Sequence, residues 1–302
     1  LSRVAQNASG AVVSGSSEYS LPAPPVQTLR CGRFTLTLDR VLVMGVVNVT
    51  PDSFSDGGRH DTPQAALEHA QALVTEGADL LDIGGESTRP GAQPVSEAEE
   101  IRRIVPVLDA LRDCGRPLSV DTRRPAVMRA ALEHGADLIN DIEALRAPGA
   151  LEAVRDSGCG VCLMHMLGQP GTMQQAPHYD EVVGEVEDFL AARVAAALEA
   201  GIARERIIVD PGIGFGKTVA HNLALLAALD ELVALGQPVL IGVSRKSMIG
   251  KLTGRETGHR LPGSLSAMLA AVQRGAAIVR VHDVAATCDA LRVWQAIGQA
   301  GG

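Results

Sequence analysis

Residues able to do chemistry gather at the ends of short apolar runs in this sequence. In order they are Asn48; Asp82, with Glu86, Thr88 and Arg89 just beyond; Asp121; Asn140 and Asp141; His165; Asp210; Ser244, Arg245 and Lys246; and Arg280 with His282. Any single Asp or Asn after a strand commonly caps a helix or shapes a turn, and Asp141 and Asp283 are read that way. The set as a whole asks for more, because amides, carboxylates, cations and imidazoles in one mixture can hydrogen-bond a heterocycle and hold an anion at the same time. Arg280 and His282 stand two apart, so on a strand they share a face and could grip a phosphate between them. Ser244-Arg-Lys-Ser247 offers cationic side chains and backbone N–H groups to an anion.

Two long polar loops add to this picture. Asn48-Val-Thr-Pro-Asp-Ser-Phe-Ser-Asp-Gly-Gly58 and Gly84-Gly-Glu-Ser-Thr-Arg-Pro-Gly91 carry glycines and could close over a ligand. Ordinary turn chemistry needs only their Pro and Gly, and leaves Phe54 and the Thr88-Arg89-Pro90 triplet unexplained. Gly212-Ile-Gly-Phe-Gly-Lys-Thr218 invites a phosphate-loop reading, but Pro211 stands where that loop needs its first Gly, and Lys217 stands where a dinucleotide fingerprint needs Gly. It is read instead as a tight loop that exposes its backbone. His165, His178, His221 and Cys162 lack the spacing of a structural zinc site. Mg²⁺ on a diphosphate needs few protein ligands, and Asn48 could supply one oxygen.

The elements that must position these groups follow a rhythm from residue 40 onward. Apolar, β-branched runs recur at Val41–Val49, Asp79–Ile83, Pro117–Val120, Asp137–Ile142, Gly160–Met164, Arg206–Val209, Pro238–Val243 and Ala276–Val281, and each predicts a strand. Helical patterns lie between most of them: Thr62-Pro63 opens a helix closed by Gly77, and Ser96-Glu-Ala-Glu99 fits a capping box for a helix through Leu111. Tyr179–Ala200, Val219–Leu235 and Gly263–Arg274 predict three more, each ending at a glycine. Gly77-Ala-Asp-Leu-Leu-Asp-Ile83, Gly135-Ala-Asp-Leu-Ile-Asn140 and Gly275-Ala-Ala-Ile-Val-Arg-Val281 repeat one helix-end-to-strand unit. About 260 residues shared by eight units gives roughly 32 each, the size of a βα repeat. The expected fold is a single-domain eight-stranded parallel (β/α)8 barrel, the TIM-barrel class, over residues 39–300. An open doubly wound sheet is the alternative, though it would more often show a Gly-rich dinucleotide turn after its first strand. In a closed barrel all strand C-termini share one rim, where such folds keep their active sites.

Residues 1–38 are rich in Ser, Ala and Pro with little periodicity, and predict a loose N-terminal arm that only weakly resembles a transit peptide. The 302 residues carry 27 Lys+Arg against 35 Asp+Glu, a net charge of −8, which gives nucleic acid no electrostatic foothold. Hydrophobic residues make up 46% and aromatic ones 2%, so the core must be aliphatic. No run approaches the ~20 apolar residues of a membrane span, so a soluble protein without a membrane partner is expected. Five scattered cysteines argue for a reducing compartment, the cytoplasm. Cys159-Gly-Val-Cys162 has redox-motif spacing, yet on a strand a separation of three sends the two thiols to opposite faces, and buried inert thiols are expected.

Met44-Gly-Val-Val47 with Asn48–Gly58, then Asp82–Gly91, Ser119-Val-Asp-Thr122, Asn140-Asp-Ile142, Leu163-Met-His-Met166, Asp210-Pro-Gly-Ile-Gly-Phe-Gly-Lys217, Gly242-Val-Ser-Arg-Lys-Ser247 and Arg280-Val-His-Asp283 together resemble the dihydropteroate synthase family, the folate-pathway enzymes targeted by sulfonamides. The resemblance runs from about residue 40 to 297, in the family's order; Ile213 stands where many relatives have Phe. It implies condensation of 6-hydroxymethyl-7,8-dihydropterin diphosphate with p-aminobenzoate to 7,8-dihydropteroate. By the same resemblance Asp121, Asn140, Asp210 and Lys246 would hold the pterin, in a slot shaped by Met164, Phe215 and Gly242. Asn48, Arg280 and His282 would bind the diphosphate, Asn48 through Mg²⁺. Phe54, Thr88, Arg89 and Ser247 would form the aminobenzoate pocket, with Asp56 in the first loop. A homodimer is implied as well.

The residue types suit that reaction. Diphosphate leaving a methylene on an electron-rich ring calls for cations at the departing charge and carboxylates near the developing positive centre. The arylamine is nucleophile enough, and no activated Ser or Cys is evident. Two other readings share part of the pattern. A pterin-binding methyltransferase barrel would use the pterin-facing Asp and Asn but has no need of the two loops or the anion sites. A barrel that only binds would be expected to have lost one of them.

Overall fold

The computed structural model describes residues 27–49, 62–87 and 94–300. Strands β1 (Thr28–Cys31) and β2 (Phe34–Thr37) form an antiparallel hairpin. Eight parallel strands follow: β3 (Leu42–Asn48), β4 (Leu80–Gly84), β5 (Leu118–Asp121), β6 (Leu138–Asp141), β7 (Gly160–Met164), β8 (Ile207–Asp210), β9 (Leu240–Ile241) and β10 (Ile278–Val281). Their order is β8-β7-β6-β5-β4-β3-β10-β9, and a parallel bridge between Val209 and Val239 closes the barrel. The strands are apolar on both faces because helices cover the outside while side chains fill the inside.

The outer layer comprises α1 (Thr62–Glu76), α2 (Glu97–Leu111), α3 (Pro125–Glu133), α4 (Ala150–Val154), α5 (Val182–Glu199), α6 (Val219–Ala227), α7 (Leu229–Val233), α8 (Ser247–Thr253), α9 (Leu261–Val272) and α10 (Val284–Ala300). Helix starts follow local chemistry. The Ser96 hydroxyl accepts from the Glu99 N–H at 3.2 Å, but Glu99 does not complete a capping box; its carboxylate turns outward to Arg102 and Arg103. The single helix expected over Val219–Leu235 is two, because Ala228 leaves helical backbone at φ −108°, ψ 27°. No described helix is long and apolar enough to cross a membrane.

The repeated Gly-Ala-Asp unit has a job that its spacing alone does not reveal. Asp79 accepts the backbone N–H of Val43, and Asp137 that of Leu118, so each acid ties its unit to the preceding strand. Arg40 clasps Asp79 and Arg33 clasps Asp137 in two-pronged ion pairs, which neutralises both acids at the barrel's lower rim.

The loose arm expected over 1–38 requires correction for its last part. β1 and β2 meet in a two-residue turn at Gly32-Arg33, with Gly32 at φ +53°, and the hairpin covers the N-terminal end of the barrel. Leu29 and Cys31 are fully buried on a floor made by Leu42, Met44, Leu80, Leu138, Cys162, Ile208, Leu240 and Ile278. Without this lid that apolar layer would face water. Leu29→Ala should therefore cost about 3 kcal/mol, as buried Leu truncations do, with kcat unchanged because the rim that does chemistry lies at the other end. Chemical denaturation together with steady-state kinetics checks this; an unchanged midpoint would mean the hairpin is dispensable.

The two thiols part as expected: Cys159 lies in the layer between strands and helices and Cys162 inside the barrel, and burial pushes both above the ordinary thiol range. The aliphatic core leaves few aromatic residues outside it. On α10 Val293, Trp294 and Ile297 are exposed, and Trp294 lies near the lower ends of β3 and β10.

Candidate active site

Alternation builds the site. Interior positions on a strand recur every second residue, so the residue two beyond each floor residue also points into the barrel, one layer higher. Leu80 is followed by Asp82, Leu138 by Asn140, Cys162 by Met164, Ile208 by Asp210, Leu240 by Gly242, and Ile278 by Arg280 and then His282. Asp121 ends β5 beside Gly84 and Asn140. Asn48 ends β3, and its side-chain oxygen lies close to Gly84, as does the Asp121 side chain.

At the centre stands Asp82, fully buried. It accepts from Ser119 Oγ at 2.5 Å, Asn140 Nδ2 at 3.1 Å and Arg280 Nε at 2.5 Å. Arg280 also donates through Nη2 to Asp121 at 3.0 Å. Burial works against a cation here, but Asp82 and Asp121 outweigh it and hold Arg280 charged. Asp121 is the odd member. Burial pushes its carboxyl up to about 7 against the pull of Arg280, with Asp82 adding repulsion. Its Oδ1 is buried without a hydrogen-bond partner among the described residues. An orphaned buried acceptor is costly, and at a barrel mouth it marks where a ligand's N–H would be satisfied.

Across the mouth, Asp210 accepts the Gly212 N–H at 2.7 Å, while burial raises its pKa. Lys246 donates to the Ile213 carbonyl and sits 4.4 Å from the centroid of the Phe215 ring. Burial lowers Lys246 to about 8, with Asp210 opposing and Arg280 reinforcing the shift. Ile142, Met164, Met166 and Met173 form a buried apolar wall against which Phe215 packs. A flat ring system fits that combination: soft polarizable side chains on one side and hydrogen-bonding groups on the other. Gly242 lies beside Arg280, where an added Cβ would meet only the Arg280 Cβ, at 3.9 Å.

The anion groups take partners that spacing did not suggest. Asp283 does not cap α10 with its side chain; it forms a two-pronged pair with Arg245, which itself adopts φ +56° and is held through its carbonyl by Arg260. Arg245 is thus committed to an ion pair within the protein, and Lys246 is the cation of Ser244-Arg-Lys-Ser247 that stands at the mouth. Ser247 is exposed at the start of α8. Ser244 Oγ accepts the His282 N–H and lies 3.0 Å from His282 Nδ1. Asp141 keeps its expected turn role, accepting from Glu143 and Leu145 N–H at 2.7 Å each. Phe54, Asp56, Thr88 and Arg89 lie outside the described residues. The second long loop is nonetheless tied at its feet, because Glu86 accepts from the Val95 N–H and from Arg124.

One pairing and two supporting residues escape a reading of sequence alone. Asp82 and Arg280 are 198 positions apart, and only closure of the barrel makes them a pair. Lys217 falls in the stretch that spacing rejects as a phosphate loop and Asn222 in α6 just beyond it, and both prove to be buried supports of that loop. The neighbouring Thr218 caps α6 in a reciprocal box with His221, which confirms that this Lys-Thr pair is not arranged for a nucleotide.

Comparison with known proteins agrees with this geometry. The pterin binding enzyme family matches residues 44–282. A dihydropteroate synthase of Neisseria meningitidis serogroup C is 55% identical over 274 residues, covering 89% of this chain and 97% of that protein. The Xanthomonas albilineans dihydropteroate synthase with 4-aminobenzoic acid superposes with a TM-score of 0.86 at 58% identity, over 90% of this chain and 98% of its own. The same enzyme in complex with 7,8-dihydropteroate gives a TM-score of 0.83 at 55% identity, over 90% and 98%. The match begins inside β3 and ends just past β10, so it takes in every strand whose end carries one of these groups, and the chain belongs to the pterin-binding enzyme family, among its dihydropteroate synthases.

Proposed function

We propose that this chain condenses 6-hydroxymethyl-7,8-dihydropterin diphosphate with p-aminobenzoate. The C–O bond to diphosphate breaks, the arylamine nitrogen forms the new C–N bond and loses a proton, and 7,8-dihydropteroate and diphosphate leave. The single observation that carries this reading is the buried Oδ1 of Asp121, without a hydrogen-bond partner among the described residues, beside the Arg280 cation. A pterin N–H would satisfy the first, and a departing anion would be drawn to the second.

In this reading Asp121, Asn140, Asp210 and Lys246 hold the pterin between the Met164 and Phe215 walls, with Gly242 at the edge. Carboxylates facing the ring favour positive charge developing on the methylene as the leaving group departs. Arg280, His282 and Asn48 face the diphosphate. Phe54, Thr88, Arg89 and Ser247 surround the arylamine, and Asp56 belongs to the loop that closes over both. Sulfonamides would compete for that arylamine pocket.

No cluster of three or more His, Cys, Asp or Glu able to hold a metal exists among the described residues. A single amide oxygen from Asn48 would suit an ion held largely by the substrate's diphosphate and by water, as Mg²⁺ commonly is. When bound there, it would supply further neutralisation of the leaving diphosphate. The exposed Val293 and Ile297 of α10 would gain from burial in a homodimer, and free thiols suit the cytoplasm.

A coupled assay for diphosphate release decides the function. Release from dihydropterin diphosphate that depends on p-aminobenzoate, with 7,8-dihydropteroate formed in equal amount, is the expected result. Binding of the pterin without release would leave a binding barrel, or a methyltransferase if a methylated pterin proves the better ligand.

A further inference from the structure

Five consecutive carbonyls crown the barrel at Gly212–Gly216, and each accepts a hydrogen bond from a side chain. Lys217 Nζ donates to Gly212 O at 3.1 Å and Phe215 O at 3.0 Å, Lys246 to Ile213 O, Gln174 Nε2 to Gly214 O at 2.5 Å, and Tyr179 Oη to Gly216 O at 2.8 Å. The loop needs such help because Gly212, Gly214 and Gly216 all have positive φ, which turns its carbonyls away from any secondary structure. A Cβ on Gly212 would lie 1.8 Å from the His165 carbonyl, so loop and β7 extension are in backbone contact.

Lys217 is the member of this set with no exposure to speak of. It is 3% exposed and has a third partner, His165 Nδ1, at 2.8 Å. Burial and Lys217 together push His165 down to about 3, so its ring is neutral and Nδ1 presents a lone pair to the ammonium. Burial likewise lowers Lys217, to about 7, with Asp210 opposing that shift and Lys246 adding to it. A buried ammonium persists only when its protons are all placed, and here four acceptors surround them, the His165 carbonyl at 3.5 Å being the most distant.

We infer that Lys217, seated on His165, is a positioning residue for pterin binding: it fixes the Gly212–Gly216 loop, whose Ile213 carbonyl and Phe215 ring in turn hold the Lys246 ammonium at the mouth. Lys217 touches neither the mouth nor any reacting atom. Its effect passes through two backbone carbonyls to the loop that orients Lys246. The inference rests on the reaction proposed above and concerns the pterin half-site alone.

Steady-state kinetics and calorimetric binding of 6-hydroxymethylpterin test it on the 302-residue chain. Lys217→Met should raise KM for dihydropterin diphosphate about tenfold, the effect of losing roughly 1.4 kcal/mol of hydrogen bonding. Pterin affinity should fall by a similar factor, with KM for p-aminobenzoate within about twofold of the parent. A purely structural role would lower the amount of active protein without separating the two KM values. His165→Leu removes the acceptor and should reproduce the split, whereas His165→Asn restores an acceptor near Nδ1 and should rescue it. Should Lys217→Met fail to fold, the Leu and Asn pair decides by itself. Parental pterin affinity in folded Lys217→Met, or in His165→Leu, overturns the inference. Absence of diphosphate release by the unmodified chain would instead overturn the proposed reaction.

Discussion

Asp121→Asn is expected to lower kcat about a hundredfold or more, the usual consequence of deleting one preorganised electrostatic group at a reacting centre, while the protein folds normally. The stability side of this prediction carries a definite sign. Asp121 has a folded pKa raised to about 7, above the ordinary carboxylate value of about 4. Its contribution to stability is therefore fully present below about pH 4 and lost as pH rises through about 7. Asn cannot ionise, so the variant escapes that loss and should gain on the parent in melting temperature between pH 5 and pH 8. The same ionisation should give the parent's kcat/KM for dihydropterin diphosphate a rising limb near neutrality that the variant lacks. Scanning calorimetry at the two pH values and a pH–rate profile check both halves. A variant that unfolds while its fold-normalised activity stays at the parental level would remove Asp121 from the reaction.

Arg280→Ala should do more damage to the fold. Removing the cation strands Asp82, which is wholly buried, and takes from Asp121 its only ion-pair partner among the described residues. Breaking a buried pair from one side typically costs about 3–5 kcal/mol, far more than the intact pair contributes. Loss at the lower end is expected because the Arg280 side chain is 23% exposed. Ligand binding should separate as well: affinity for the dihydropterin diphosphate should fall more than affinity for a bare pterin, since only the former presents an anion. Arg280→Lys keeps the charge but not the fork between two carboxylates, so it should recover anion binding better than stability. Equal losses for the two ligands would mean that Arg280 serves the carboxylates alone.

The sequence was most legible where one physical signal repeats. Parallel strands buried on both faces must be continuously apolar, so β3 to β10 stand out, and period-two alternation brings Asn140, Asp210 and Arg280 to one rim however far apart they lie in the chain. Side-chain partners were far less legible, since Arg280 choosing Asp82 and Arg245 choosing Asp283 depend on barrel closure rather than on spacing. The β1–β2 hairpin escaped because four-residue strands give too few alternations to register, and its purpose exists only once there is a floor to cover. Lys217 escaped for a different reason: its neighbours in sequence suggested phosphate, while its neighbours in space are carbonyls.

The placement of the one tryptophan has a practical result. Trp294 sits on the last helix against the lower ends of β3 and β10, a full barrel height from the ligand rim. Its ultraviolet emission should thus ignore occupancy of the pterin slot and respond to changes at α10. Intrinsic fluorescence is a poor titration signal for substrate in this protein, but it offers a clean optical channel for the lower end of the barrel, separable from the pterin's own absorbance.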